Sequence, residues 1–400
     1  MPPCTVQLTL IRSQGAQCGP YLLVLACDGQ PLACHAPQRH AWHTLHRLID
    51  GFRRLSKPAS DLLQPTAHAA GTENHALLLH SVGVELFACY LAPFWPFLQR
   101  RLRSSQPLVL SLVSRHLEPL LWPWELLCWP DGRLALGQET LTWRRTLSRA
   151  DRTLPLPGAE RSRWLGGLRL LLVLSQPAGF AATCREGVAD RLLAAEGGEI
   201  SWRCVPGATR GQVKAQLRAF APQVVCLLGP FLLQGEEGFF AFAEEDGSAE
   251  VRSAAEVAQE WQTAHAPALV MLLGREEGNA PPLAAMAAFG QGLVAHGIPW
   301  ALLLPGRLHD PGMEELLHHF LRQLGEGTGM ERALWRARQV CRTAAPTATY
   351  PAWVLPVLLT GTTPSISRCD DTHACTYPIK SLSSGCRSDH GLDLAATCQL

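Results

Sequence analysis

Between residues 168 and 361, short and almost unbroken apolar runs alternate with amphipathic stretches, and this rhythm constrains the fold more than any other feature. The runs are LRLLLVLSQP, ISWRCVP, PQVVCLLG, ALVMLLG, IPWALLLPG and AWVLPVLLTG. A strand that is apolar at consecutive positions has no face to give to water, so it must be covered on both sides. Stretches with helical spacing of apolar residues supply the cover: GVADRLLAAEG, TRGQVKAQLRAFA, SAAEVAQEWQTAH, PLAAMAAFGQGLVAHG, MEELLHHFLRQLGEG and MERALWRARQVCRTA. FFAFAEEDGSAEVR departs from the rhythm and reads as a hairpin turning at Asp246-Gly247. Ser253 stands at the N-cap of the next helix, where its hydroxyl can accept from a first-turn amide. The expected fold class is α/β, a mostly parallel sheet with helices on both faces.

Residues 1–150 have a different texture and read as an α+β portion. VQLTLI and PYLLVLACDG form a hairpin, HTLHRLIDGFRRL a helix, and SKPASDLLQPTAHAAGTEN a loop. SVGVELFACYLAPFWPFLQRRLRSS is helical and broken near Pro93 and Pro96, because proline removes a helix donor and crowds the preceding turn. PLVLSLVS is a strand, and Trp-Pro-Asp-Gly-Arg marks a turn between two extended pieces. The linker LPLPGAERSRWLGG then leads into a second domain, residues 165–361. From Thr362 periodicity vanishes, and residues 362–400 read as a disordered tail containing Cys369, Cys375, Cys386 and Cys398. With His373 and His390 these cysteines lack the paired knuckle spacing of a zinc site, so none is expected there.

The formal net charge of +1 leaves no basic surplus for nucleic acid or an anionic membrane surface, and neither is expected as a partner. Arginine carries nearly all the positive charge, since Lys57, Lys214 and Lys380 are the only lysines. The start, MPPCTVQLTLIRSQG, lacks the basic and apolar regions of a signal peptide, and the most apolar runs are too short to span a bilayer. A cytoplasmic setting is the expectation. The 14 cysteines are scattered, with Cys128, Cys204 and Cys226 inside strand-like runs, which fits reduced, buried thiols.

LLWPWELLCWPDGRLAL, followed by a strand carrying Trp143-Arg144-Arg145, resembles the Pro-Trp-Glu-Leu segment of CHAT domains, relatives of caspases and separase. The likeness extends over residues 75–361, through AEEDGSAEVRSAAEV, the Ala-x-x-x-Ala-Arg helix of MERALWRARQ and the Trp-x-x-Pro strand of TYPAWVLPVLLTG. It implies a caspase-like three-layer α/β/α sandwich, preceded by the α+β portion. It also gives Pro123, Trp124 and Glu125 a structural role. Relatives often work beside protein partners in bacterial signalling or defence, so a protein partner is the implied one; the oligomeric state is left open.

A caspase-type peptidase needs a thiolate nucleophile and an imidazole to manage protons. In the resembled family the histidine follows the third core strand and the cysteine the fourth. Those places here read Leu228-Gly229-Pro230-Phe231 and Leu273-Gly274-Arg275-Glu276. Pro230 cannot titrate and Arg275 cannot act as a nucleophile, so the resemblance implies a degenerate member with no catalytic residue. Two other readings stay open. A displaced dyad would draw on Cys226, His265 or His296, and a small-molecule or nucleotide binder would use the sheet's carboxyl edge. No Walker loop, nucleophile elbow or His-Glu-x-x-His is present, and Gly290-Gln291-Gly292 lies within a helical pattern, so no cofactor is expected. Cys34, His35, His40, His43 and His46 crowd together without a known ligand spacing, so no metal is expected. Arg275, Glu276, Glu277, Arg307 and Asp310, with Glu244-Glu245-Asp246 nearby, form the expected partner or ligand surface.

Overall fold

The computed structural model describes residues 4–13, 19–55, 68–104, 106–147, 167–178, 200–273, 283–305, 311–344 and 352–361. Among these residues the framework is one sheet of eleven strands and a separate sheet of three. In chain order the N-terminal strands are β1 (Cys4–Arg12), β2 (Tyr21–Cys27), β3 (Gln30–His35), β4 (Leu108–Ser114) and β5 (Leu141–Leu147). They are followed by β6 (Leu168–Leu174), β7 (Ile200–Pro206), β8 (Val224–Leu228), β9 (Phe231–Gln234), β10 (Glu237–Ala243), β11 (Ala249–Ser253), β12 (Leu269–Leu273), β13 (Trp300–Leu304) and β14 (Val357–Gly361). The large sheet runs β3-β2-β1-β4-β5-β14-β13-β12-β8-β6-β7, and β9, β10 and β11 form the small one. Within the large sheet β1–β2, β2–β3 and β13–β14 pair antiparallel and every other neighbour is parallel, while both pairs of the small sheet are antiparallel. Strands from both sides of residue 150 therefore share one hydrogen-bonded sheet, joined where β14 pairs with β5 and with β13.

Side chains alternate across a strand, so a strand buried at every position feeds two cores. β8, β12 and β13 are buried throughout. Val224, Cys226 and Leu228 join the core that also holds Met271 and Leu302, while Val225, Leu227, Leu272 and Leu303 join the opposite one. The helices are α1 (Arg39–Leu55), α2 (His68–Leu86), α3 (Trp95–Arg103), α4 (Leu117–Leu120), α5 (Arg210–Phe220), α6 (Ala254–Ala264), α7 (Leu283–Ala295), α8 (Pro311–Gly325) and α9 (Met330–Ala344). Residues of α5, α6 and α7 line the second core, and those of α1, α8 and α9 the first. This is the three-layer α/β/α arrangement. β1 and the start of β2, by contrast, alternate buried with half-buried positions.

Helix ends follow local chemistry. Thr209 and Ser253 each close a capping box, with Gln212 and Glu256 at the third position. Ser253 Oγ accepts from Glu256 N–H at 3.3 Å, as its position in the sequence predicts. The break near Pro93 is also present: the chain passes from α2 through a π-turn, Phe87–Leu91, and a 3-10 turn, Ala92–Phe94, before α3 resumes.

Several elements differ from the sequence reading. The helix α2 begins at His68, inside a stretch read as loop, because AHAAGTENHALLL keeps good helix formers on both sides of one glycine. β3 and β9 were not anticipated; both are short, and each follows a turn. The segment before the Trp129–Arg133 turn forms helical turns at Leu117–Leu120 and Trp124–Leu126 rather than an extended piece. The helical run His75–Arg103 is long and apolar enough to cross a membrane by composition, yet Val82, Leu86, Tyr90, Leu91 and Leu98 bury it in the core. The helix expected around GVADRLLAAEG, and the tail of residues 362–400, lie outside the described residues.

Candidate functional site

Because β6, β8, β12 and β13 are parallel, their carboxyl ends share one edge, where open α/β sheets place ligands. The turn after β8 stands there and is tightly built. Ser175 N–H donates to Leu228 O at 2.8 Å, and its hydroxyl donates to Ala241 O at 2.7 Å. Ala241 N–H in turn donates to Pro230 O at 3.1 Å, so the one polar atom Pro230 offers is used. Gly229 is required by space: a Cβ would come within 2.8 Å of the Phe240 ring and 3.0 Å of Ser175 Cβ. Beyond it Phe231, Phe240, Phe242 and Phe289 pack edge-on or tilted, with the Phe240–Phe242 ring centres 4.8 Å apart. Pro230 itself is buried. This turn presents no group that could take up or release a proton near neutrality.

Arg275, Glu276, Glu277, Arg307 and Asp310 lie outside the described residues. Asp246, close to them in the sequence pattern, is fully exposed, and the hydrogen bonds from Ser248 hold its carboxyl below the usual range.

The residues considered for a displaced dyad are not brought together. Cys226 sits in mid-strand beside Met271 and Leu172, at 2% exposure. His265 precedes β12 and lies against the backbone of Pro222, so it stands at the amino ends of the strands; burial lowers its pKa. His296 bonds Gly292 O at 2.8 Å through Nδ1 and also precedes its strand. The crowded histidines disperse as well. His35 Nε2 pairs with Cys89 O at 3.1 Å, and His46 Nδ1 with Asp50 at 3.1 Å. One Cys–His contact that the sequence did not flag is Cys128 Sγ to His80 Nδ1 at 3.7 Å. Burial raises the pKa of that thiol, and its sulfur lies 3.3 Å from Leu126 O. A catalytic thiol needs the opposite shift.

A buried cluster of charges lies elsewhere, at the Trp-Pro-Trp-Glu segment. Glu125, on the Trp124–Leu126 turn, is 2% exposed and faces two guanidiniums. Arg145, from β5, is hydrogen-bonded to its Oε2, and Arg338, from α9, reaches Oε1 at 2.9 Å. The two positive charges are shared further with backbone carbonyls. Arg145 donates to Trp122 O at 3.3 Å; Arg338 donates to Trp353 O at 3.1 Å and to Pro356 O. Burial pushes Arg338 down to about 10 against the pull of Glu125, and it still stays charged at neutrality. A water-sized cavity of about 10 Å³ adjoins the cluster, lined by Trp143, Glu331 and Trp335 among others. Outside it Arg144 pairs with Glu331 at 2.6 Å.

Aromatic rings fix the segment from its other side. Trp122 packs on Trp42 at 5.2 Å and Tyr90 at 5.5 Å, and Trp124 Nε1 donates to Pro119 O at 2.8 Å. The cluster therefore ties together four stretches read separately in the sequence: Pro-Trp-Glu-Leu, Trp-Arg-Arg, Ala-x-x-x-Ala-Arg and Trp-x-x-Pro. It contains no thiol, hydroxyl or imidazole, so its chemistry is attachment. Glu125 and Arg338 each interrupt an otherwise apolar face, which is the one signal the sequence carried.

The model of the CHAT domain family matches residues 86–363. No curated protein matches the chain. Among solved structures, a chain of the Saccharomyces cerevisiae separase–securin complex is similar at 10% identity and TM-score 0.45, over 90% of this chain and 30% of that one. A second crystal structure of that complex gives 9% identity and TM-score 0.47, over the same shares. This chain thus spans less than a third of the chains it resembles in structure.

Proposed function

This chain belongs to the CHAT domain family, a peptidase-related fold, and from that premise we propose that it is a pseudo-peptidase: the scaffold is kept to bind a protein partner and the peptidase chemistry is gone. The observation that carries the reading is the turn after β8. Where the family's histidine would follow the strand stands Pro230, buried, with its carbonyl engaged by Ala241. Arg275 at the other catalytic position agrees by residue type. The partner surface in this reading comprises Arg275, Glu276, Glu277, Arg307 and Asp310, and the setting is a cytoplasmic bacterial signalling or defence assembly.

The test has two arms. Full-length protein is exposed to a peptidyl electrophile that captures reactive cysteines, and labelling is mapped by mass spectrometry. No selective labelling is expected. The same protein is used as bait in a lysate of its host, with an Arg275→Glu, Arg307→Glu variant beside it. A partner retained by the parent and lost by the variant is the expected result. Selective capture of one cysteine would sink the reading.

The Cys128–His80 contact supports the rival, a peptidase with a relocated dyad. Against it stands the 1% exposure of Cys128, which keeps an electrophile away from the sulfur. Labelling at Cys128, lost in His80→Ala, would establish it.

A further inference from the structure

Among the described residues one set of metal-ligating side chains converges, and it lies far from the sheet edge discussed above. Cys4 opens β1 and Cys27 closes β2, so antiparallel pairing brings them to the same end of the sheet. Asp28 follows at once, in the left-handed region with φ +49°, where the Asp28-Gly29 turn carries the chain into β3. The two sulfurs are 3.9 Å apart, and Cys27 Sγ is 3.5 Å from Asp28 Oδ2. All three ligand atoms lie within 4.8 Å of one another.

The Cys4–Cys27 and Cys27–Asp28 distances match the edges of a coordination tetrahedron. Zinc bound to sulfur at about 2.3 Å and to carboxylate oxygen at about 2.1 Å has S–S and S–O edges of about 3.8 and 3.6 Å. We propose that Cys4, Cys27 and Asp28 form a site for a thiophilic divalent cation, with zinc as its occupant and water in the fourth position. Asp28 is exposed and both cysteines are nearly buried, so the site opens to solvent on one side only. Charge agrees. Two thiolates and a carboxylate bring three negative charges, which one divalent ion and the Arg101 guanidinium, 3.7 Å from Cys27 Sγ, balance. Binding breaks two S–H bonds, forms two metal–sulfur bonds and releases two protons to solvent. The ion would fasten the first strand to the β2–β3 turn, beside α3.

Full-length protein, reduced with a phosphine and stripped by a chelator, is titrated with Co²⁺ as a spectroscopic probe. One equivalent should produce thiolate charge-transfer absorption with tetrahedral ligand-field bands, and Zn²⁺ should displace it. Cys27→Ser should lose that equivalent. Asp28→Asn should weaken binding at least as much as the roughly tenfold that loss of an outer-shell partner costs. Asparagine tolerates the left-handed backbone and the side chain is exposed, so this variant reads the ligand even where Cys27→Ser folds poorly. An unchanged cobalt spectrum in both variants, as binding by Cys369, Cys375, Cys386 and Cys398 would give, overturns the proposal. So does finding Cys4 and Cys27 joined as a disulfide in protein isolated under reducing conditions.

Discussion

The cluster around Glu125 and the turn after β8 are both buried, and they treat charge in opposite ways. Around Glu125 a carboxylate and two guanidiniums share the core with tryptophans, and the carbonyls of Trp122, Trp353 and Pro356 accept from the same guanidiniums. After β8 the chain turns through Gly229-Pro230 with only backbone and a serine hydroxyl as polar groups. Desolvated ions are tolerated only when each is paired. This molecule keeps them where they join a short turn, a strand, a helix and the loop leading to β14. It has none in the described turn where peptidase chemistry would need a titrating group. Buried polarity here is a sign of assembly, and the turn after β8 offers no titrating side chain.

The contrast can be broken by experiment. Glu125→Ala strands two buried guanidiniums and should cost about 3–5 kcal/mol in denaturant unfolding. Converting Glu125 to Leu together with Arg145 and Arg338 to Met removes the stranded charges and should recover part of that loss. A cost for Glu125→Ala below about 1 kcal/mol would show that the cluster does not hold the fold. Next comes the seat of the segment on α2. A Cβ at Gly83 would lie 1.9 Å from Leu126 O, so Gly83→Ala must push the Trp-Pro-Trp-Glu turn away, at about 1–3 kcal/mol. At the other pole Pro230→Ala should cost about 1 kcal/mol or less, since its carbonyl hydrogen bond is backbone and survives. Pro230→His should restore no cleavage of peptide substrates, because no thiolate faces it in the proposed reading.

The smallest effect concerns pH, and it lies outside both regions. Burial lowers the pKa of His35 from its ordinary 6.5. The unfolded chain therefore takes up this proton more readily than the folded one, and stability falls as pH drops below about 6.5. His35→Gln should flatten part of that slope in thermal melts at about pH 7.5 and 5.5. His265 and His319, shifted the same way by burial, should add to that slope.

The fold was legible where burial acts on both faces of a strand. LVMLL and WALLL can only be central strands, and they are β12 and β13. QPLACH carried no such signal: β3 is an edge strand with mostly exposed positions and a proline, so neither period nor composition marks it. The position of Pro230 was readable because a turn after a strand is a local matter. The ion cluster was not, because Glu125, Arg145 and Arg338 come from distant segments and meet only once the sheet and α9 are in place. The pair Cys4 and Cys27, 23 residues apart, was hidden for the same reason. Its partners are set by hairpin register, which the sequence leaves open between the two strands.

The placement of β14 has a consequence in time. It lies between β5 and β13, so the five N-terminal strands and the five of the second half meet in the sheet only through the last strand of the described chain. During synthesis, which proceeds at about 5–20 residues per second, both half-sheets are finished before the strand that unites them exists. Each must wait with one edge open, and open edges are where foreign strands add. A nascent chain of this protein therefore passes through a vulnerable stage that lasts until β14 is made, and a chaperone that shields strand edges would have its greatest effect in that interval.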